Sequence, residues 1–266
     1  MSETLSTIAQ VAAIIPARYQ SSRFPGKPLA SIAGKSLIQR TYERAKCCPL
    51  LQEVLIATDD ERIYSHVQSF GGTAVYTSPD CLTGTDRLID VLQQGYCRNA
   101  ACILNVQGDL PLIEPEVMQQ VIEALLNDSE AATATAVVPL TGEEAHNFSV
   151  VKCVLDQKKR ALYFSRALIP AGLQGDFKTG IPYYHHIGIY AYRPHFLLEL
   201  SRLPPTPLQL AEDLEQLKIL EYGHRIAVAI VNSASFGVDR PEDIQKVENI
   251  LCMQNLSSSL AASALL

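Results

Sequence analysis

Short apolar runs alternate with segments of helical period along most of this chain, and that alternation restricts the fold more than any other feature. A strand that is apolar along nearly its whole length has both faces covered, the usual condition of a parallel sheet with helices on each side. Ala101 to Val106 is the strongest such run, and Val11 to Ile15, Glu53 to Thr58, Thr73 to Tyr76, Ala134 to Val138 and Ile226 to Val231 are others. Between them Leu37 to Lys46 reads as a helix. Leu88, Val91 and Leu92 stand at the i, i+3, i+4 spacing of a buried helical face, and Pro115 opens a helix with Val117, Val121 and Leu125 on one side. Leu210, Leu214 and Leu217 predict one further helix, and the chain is expected to finish on a helix from Pro241 to about Leu251.

The stretch from 150 to 192 breaks this rhythm. Val150 to Leu155, Ala161 to Phe164 and His186 to Tyr192 follow one another as strands with no helical segment between them. We read it as a strand-rich insertion that carries a subunit contact, within a single domain over 11–254. Residues 1–10 and 255–266 are expected to be terminal tails. The fold class expected is therefore α/β: a mostly parallel central sheet flanked by helices, with one embellishment. A chain of 266 residues, 47% of them apolar, is long enough for such a core.

Composition narrows the function. The formal charge is −6, from 22 basic and 28 acidic residues, and no basic block occurs, which argues against a protein that wraps nucleic acid. No apolar stretch is long enough to span a bilayer, and the opening MSETLSTIAQ lacks the features of a signal peptide. Seven cysteines occur without any Cys-x-x-Cys pair, and several, such as Cys102 and Cys153, sit among apolar neighbours. They read as small hydrophobes in a reducing compartment, so a cytoplasmic setting is expected.

The richest segment for chemistry follows the first strand. Pro16 to Leu29 contains Arg18, Arg23 and Lys27, the hydroxyls of Ser21 and Ser22, and Gly26. In an open α/β sheet, ligands bind at the carboxyl ends of the strands, and a triphosphate needs cations and free backbone N–H groups there. The spacing is neither the Walker pattern nor a dinucleotide fingerprint, so a dinucleotide oxidoreductase is disfavoured. Composition alone leaves a solvated basic loop as the other reading.

Two carboxylates recur at strand ends. Asp109 follows the run Asn105-Val106-Gln107-Gly108, and Asp239 follows Gly237-Val238. If both lie over one crevice they suit a Mg²⁺–nucleotide site, since Mg²⁺ is commonly held by one or two carboxylates plus substrate phosphates. Each also has a plainer reading: Asp239 as the cap of the final helix, Asp109 as an Asx-turn residue, and Asp243 as surface charge near a helix N-terminus.

The segments IIPARYQSSRFPGKPL, TGTDR, NVQGDLP, ALYFSRALIP, HHIGIYAYR and GVDRPED, in this order from about Val11 to Leu251, resemble the 3-deoxy-manno-octulosonate cytidylyltransferase (CMP-Kdo synthetase) family. The Pro-Gly-Lys-Pro-Leu element separates this branch from the enzymes that activate sialic acid. The resemblance implies a Rossmann-like nucleotidyltransferase sheet, a homodimer, and the reaction of CTP with Kdo to give CMP-Kdo and pyrophosphate for lipopolysaccharide synthesis in the cytoplasm. It further implies that Arg18 and Lys27 hold the triphosphate with help from Arg23. Asp109 and Asp239 would bind Mg²⁺, and Gln107 with the backbone near Ala17 would hold the nucleotide or the neighbouring sugar. Arg87, Arg166, His186, Glu215 and Gln216 would face the sugar.

Two positions depart from the family pattern. Leu110 stands where Glu usually follows the Gly-Asp pair, and Cys81 stands where His usually opens the His-x-Ser-Gly-Thr element. Other readings kept open are CTP-dependent activation of another acid sugar, sialic acid or 8-amino-Kdo, and a nucleotide-binding module without turnover.

Overall fold

The computed structural model describes residues 10–21, 23–234 and 236–263. Except for Gln10, the expected N-terminal tail lies outside the described residues. The first half runs β1 (Gln10–Pro16), a 3₁₀ turn (Lys27–Leu29), the short strands β2 (Ser31–Ile32) and β3 (Lys35–Ser36), α1 (Leu37–Lys46), β4 (Glu53–Thr58), α2 (Glu61–Ser69), β5 (Ala74–Tyr76), α3 (Gly84–Gln93) and β6 (Ala100–Asn105). The second half runs α4 (Pro115–Leu126), β7 (Ala131–Pro139), α5 (Gly142–Ala145), β8 (Lys152–Leu155), β9 (Ala161–Ser165), β10 (Tyr184–Tyr192), α6 (Pro194–Leu200), α7 (Pro207–Glu212), α8 (Gln216–Glu221), β11 (Arg225–Ile230) and α9 (Glu242–Ser263).

Among the described residues the main sheet has the order β11-β7-β10-β6-β1-β4-β5, with β8 paired to β10 and to β9. β6, β1, β4 and β5 are mutually parallel, as are β7 and β11, whereas β10 runs antiparallel to both its neighbours. The mostly parallel sheet follows the sequence expectation. The segment 150–192 does supply the antiparallel hairpin β8–β9, but its last strand lies in the middle of the sheet. It is thus integral to the core and not only an addition to it.

Alternation along the strands divides the interior into two layers. Ala13, Ile15 and Leu104 face α1, α2 and α4, while Ile14 and Ile103 face α3, α6 and α8. On α4, Val117, Val121 and Leu125 are all buried, each worth about 1.5–3 kcal/mol in apolar area removed from water. The helix starts are local in origin: the Ser36 side chain accepts from Gln39 N at the head of α1, and Thr83 and Asp86 form a reciprocal capping box on α3.

Two helical expectations change. Leu210, Leu214 and Leu217 do not share one helix, because Asp213 takes a left-handed conformation (φ +54°) and splits the segment into α7 and α8. Leu210 is exposed as a result, while Leu214 and Leu217 are buried. The final helix passes the expected end near Leu251 and continues to Ser263.

Candidate active site

The strand order reverses at β1, which lies between β6 and β4, and the chain leaves β1 and β6 at the same edge of the sheet. A crevice opens at such a switch point. The loop after β1 carries Arg18, Arg23 and Lys27, and the loop after β6 carries Gln107 and Asp109. The two loops touch closely at Gly108: a Cβ added there would lie 2.8 Å from Pro16 O. Only glycine fits, and that is how β6 brings Asp109 up to the basic loop.

Asp239 reaches the same place from the far end of the chain. Val238 N donates to Asp109 O at 2.9 Å, which ties the C-terminal strap to the β6 loop. The Asp243 carboxylate accepts from the N–H groups of Asp239 (3.1 Å) and Arg240 (3.0 Å). Its ion pair with Lys246 and these bonds hold its carboxyl below the ordinary range. Asp243, expected as surface charge, therefore does the capping, and the Asp239 carboxylate is left to face the crevice. Val238, Val247 and Ile32 form a small separate core beneath the strap, with Phe24 of the basic loop packed against it.

The two carboxylates converge on one ammonium. Lys27 Nζ lies 2.7 Å from Asp109 Oδ2, 3.8 Å from Asp239 Oδ1, and donates to Val238 O at 2.8 Å. Arg23 pairs with Asp239 at 3.3 Å on the more exposed side. Asp109 and Asp239, 130 residues apart in sequence, thus share a single cationic centre. The Asx-turn and helix-cap readings do not describe them.

The backbone that presents Lys27 is held from behind. Gly26 adopts φ +73° and donates to Tyr19 O at 2.8 Å, and its Cα faces the Tyr19 ring so closely that a Cβ would lie 3.1 Å away. On Tyr19 stacks the guanidinium of Arg62, 3.3 Å from the ring centroid. Asp60 grips Arg62 through two bonds of 2.9 and 2.6 Å. Tyr19 and Arg62 carried no signal in the sequence beyond lying near the basic loop and at the start of a helix.

Two cavities occupy the crevice. The smaller, about 350 Å³, is lined by Ala17, Arg18, Arg23, Lys27, Asp109 and Asp239, with Arg87 at its back. The larger, about 460 Å³, lies against the α3–α8 side and is lined by His186, Tyr190, Gln216 and Asn105 among others. Gln107, Glu215, Thr83 and Gly84 line both, so the cavities share a wall.

The larger cavity owes its shape to an irregularity in β10. The pairing of β10 with β7 shifts register between Ile187 and Tyr190, with Gly188 inside the bulge and lining the cavity. Thr135 Oγ1 spans the bulge, 3.1 Å from Ile187 O and 2.8 Å from Ile189 O. His186 Nε2 lies 3.0 Å from Thr135 Oγ1 and 3.1 Å from Tyr190 Oη. Burial, reinforced by the His185 charge, pushes the His186 imidazole down to about 3, so it is a neutral hydrogen-bonding group at physiological pH. Burial also raises the Glu215 carboxyl, with Asp86 adding like-charge repulsion.

Of the five residues expected at the sugar, His186, Glu215 and Gln216 meet in the larger cavity. Arg87 is placed instead behind the smaller one, only 4% exposed, paired to Asp59 at 3.0 Å and donating to Thr77 Oγ1 at 2.7 Å. Arg166 lines neither cavity. Its Nε donates to Glu212 O at 3.3 Å, its backbone N donates to the Glu212 carboxylate, and its carbonyl accepts from the buried Lys152 at 2.5 Å. Leu110, in place of the family's usual Glu, turns inward and packs in the core. Cys81 is half-buried, and burial raises its thiol above the ordinary range.

The smaller cavity can therefore hold a polyphosphate between cations and carboxylates, and the larger a polyhydroxylated group. Residues 12–226 match the family model described as cytidylyltransferase. The chain is 55% identical over 248 residues to the 3-deoxy-manno-octulosonate cytidylyltransferase of Protochlamydia amoebophila, covering 92% of this chain and 96% of that protein. It is 44% identical to the mitochondrial 3-deoxy-manno-octulosonate cytidylyltransferase of Arabidopsis thaliana, covering 94% and 86%. It also superposes on the solved structure of a CMP:2-keto-3-deoxy-manno-octonic acid synthetase complexed with CTP, with a TM-score of 0.87 and 39% identity, covering 92% of this chain and all of that one.

Proposed function

Because the chain belongs to the 3-deoxy-manno-octulosonate cytidylyltransferase family, we infer that its crevice joins this sugar acid (Kdo) to CMP, taking the cytidylyl group from CTP and releasing pyrophosphate. One observation carries the assignment of parts: a cavity lined by Arg18, Arg23 and Lys27 and a second lined by His186, Tyr190 and Gln216 share the wall formed by Gln107 and Glu215. In this reading the triphosphate lies in the smaller cavity and the sugar in the larger, so the α-phosphorus faces the anomeric hydroxyl across that wall.

The anomeric oxygen attacks the α-phosphorus. A new O–P bond forms, the bond to the β-phosphate oxygen breaks, and the hydroxyl proton is released. Charge in such a transition state spreads over phosphate oxygens, so positioning and electrostatics provide most of the acceleration. Arg18, Arg23 and Lys27 neutralise the β- and γ-phosphates and stabilise the departing pyrophosphate. His186, Glu215 and Gln216 orient the sugar, the first as a neutral partner at working pH.

Mg²⁺ fits the residues present. Asp109 and Asp239 offer hard oxygen donors that already converge on a single cation, the Lys27 ammonium. No group of three or more His, Cys, Asp or Glu side chains able to hold a metal occurs among the described residues, so substrate phosphates would complete the coordination. Asp109 and Asp239 would hold the ion; when bound, it supplies charge neutralisation at phosphate oxygens and acidifies a coordinated hydroxyl.

A cytoplasmic setting suits the seven cysteines, all free. The largely exposed Phe148, Leu162, Leu173 and Leu210 are apolar surface that a homodimer would cover. Lipopolysaccharide synthesis is the use we propose for the product. Among the described residues no helix is long and apolar enough to cross a membrane. The test is pyrophosphate release with CTP, Mg²⁺ and Kdo, compared with sialic acid and 8-amino-Kdo. Release that depends on both CTP and Kdo is expected, and turnover of CTP indifferent to the sugar would contradict the assignment.

A further inference from the structure

Along β6 the side chains alternate between the two core layers, Cys102 and Leu104 on one and Ile103 on the other. Asn105 is the next residue on the Ile103 side, at the carboxyl end of the strand, where it lines the larger cavity. It is only 2% exposed, yet its Oδ1 has no hydrogen-bond partner. The Nε2 of Gln216, a residue 6% exposed that lines the same cavity, is likewise without a partner. Buried polar atoms are nearly always paired, and an orphan is costly to keep. An acceptor from the sheet and a donor from α8, both lining one cavity, are each complementary to a sugar hydroxyl, which can donate and accept.

We propose that Asn105 is a specificity-determining residue for the sugar acid: its Oδ1 accepts a hydrogen bond from a hydroxyl of the bound sugar, with Gln216 serving the same ligand from the opposite element. This rests on the reading of the larger cavity as the sugar site. It explains why a strand otherwise filled with apolar side chains ends on an amide. It also separates Asn105 from residues kept for packing, because replacing an unpaired buried amide by an apolar group of similar shape relieves the fold while depriving the ligand.

The test compares Asn105→Leu and Gln216→Leu with the wild type in thermal unfolding and in KM for Kdo and for CTP. For Asn105→Leu we expect an unchanged or raised Tm, a KM for Kdo higher by roughly tenfold and an unchanged KM for CTP. If Gln216→Leu raises the KM for Kdo and Asn105→Leu does not, the role of Asn105 is refuted while the sugar site stands. If neither variant moves it, the sugar-site reading falls as well. A lowered Tm with unchanged KM for Kdo, or a raised KM for CTP alone, also refutes the proposal. Should Asn105→Leu fail to fold, single-deoxy analogues of Kdo with the wild-type enzyme decide the matter. Loss of one hydroxyl should reduce kcat/KM by roughly tenfold, and uniform turnover of all analogues would overturn the proposal.

Discussion

The two cavities of the crevice are built on opposite plans. In the smaller one the working groups are charged, sit on loops, and stay partly open to solvent: the Asp239 side chain is 55% exposed, and Lys27 is held by Asp109, Asp239 and the Val238 carbonyl. In the larger one, Asn105, His186 and Gln216 come from β6, β10 and α8 and are each less than a tenth exposed, beside the acidic side chains of Asp86, Asp213 and Glu215. The contrast follows from the ligands. A triphosphate brings its own charge and counter-ions and requires strong, adjustable partners, whereas the hydroxyls of a sugar suit fixed neutral donors and acceptors whose desolvation the fold has already met.

That contrast can be broken by substitution. The largest effect is expected from Asp109→Ala, which should lower kcat roughly 10³-fold while the unfolding temperature stays close to that of the wild type. Lys27→Ala removes the cation shared by both carboxylates and should reduce kcat/KM by roughly 10²-fold, mostly through CTP and with little change in KM for Kdo. Steady-state kinetics with each substrate varied separately distinguish the two cavities, and an equal rise in both KM values would erase the distinction.

In the larger cavity, His186 gives a pH signature. Its folded-state pKa, near 3, lies below the ordinary 6.5, so between these values the unfolded chain binds more protons than the folded one. Stability is then intact above about pH 6.5 and is lost as pH falls toward 3, with a slope approaching about 1.4 kcal/mol per pH unit from this one group. Urea unfolding between pH 7 and pH 5 should show the slope in the wild type and a shallower one in His186→Gln; identical slopes would mean that the imidazole titrates normally. The smallest effect belongs to the support behind the basic loop. Arg62→Ala removes the stack on Tyr19 and should raise the KM for CTP roughly three- to tenfold with kcat nearly unchanged, and Arg62→Lys should recover part of the loss.

Much of the fold was legible because local signals agreed with tertiary demands. The helix Leu37–Lys46 matches the expected bounds, since the Ser36 cap and the apolar face coincide. The segment around Leu210 misled because leucine spacing alone cannot register the left-handed turn at Asp213. β10 was taken for part of an insertion because pairing between residues far apart in sequence leaves no periodic mark on either strand.

The site divides in the same way as the cavities. Arg18, Lys27, Asp109 and Asp239 announced themselves as charges in the loops that follow strands, and the structure brings all four to the smaller cavity. Arg166, equally charged, is engaged by Glu212 and Phe148 away from both cavities, which no local pattern could reveal. Asn105 stayed hidden within an apolar run, because its significance comes from lining the larger cavity with an unpaired Oδ1, which no sequence pattern marks.

The central claim is that Asp109 and Asp239 jointly hold one divalent cation opposite the basic loop, with the sugar in the neighbouring larger cavity. The most direct measurement is a crystal structure with CTP, Mn²⁺ and Kdo, read for anomalous scattering from the manganese. The expected result is a peak bonded to an oxygen of each carboxylate, Lys27 moved onto the triphosphate, and the sugar between His186 and Gln216. A manganese peak bonded to neither aspartate, or a sugar outside the larger cavity, would contradict it.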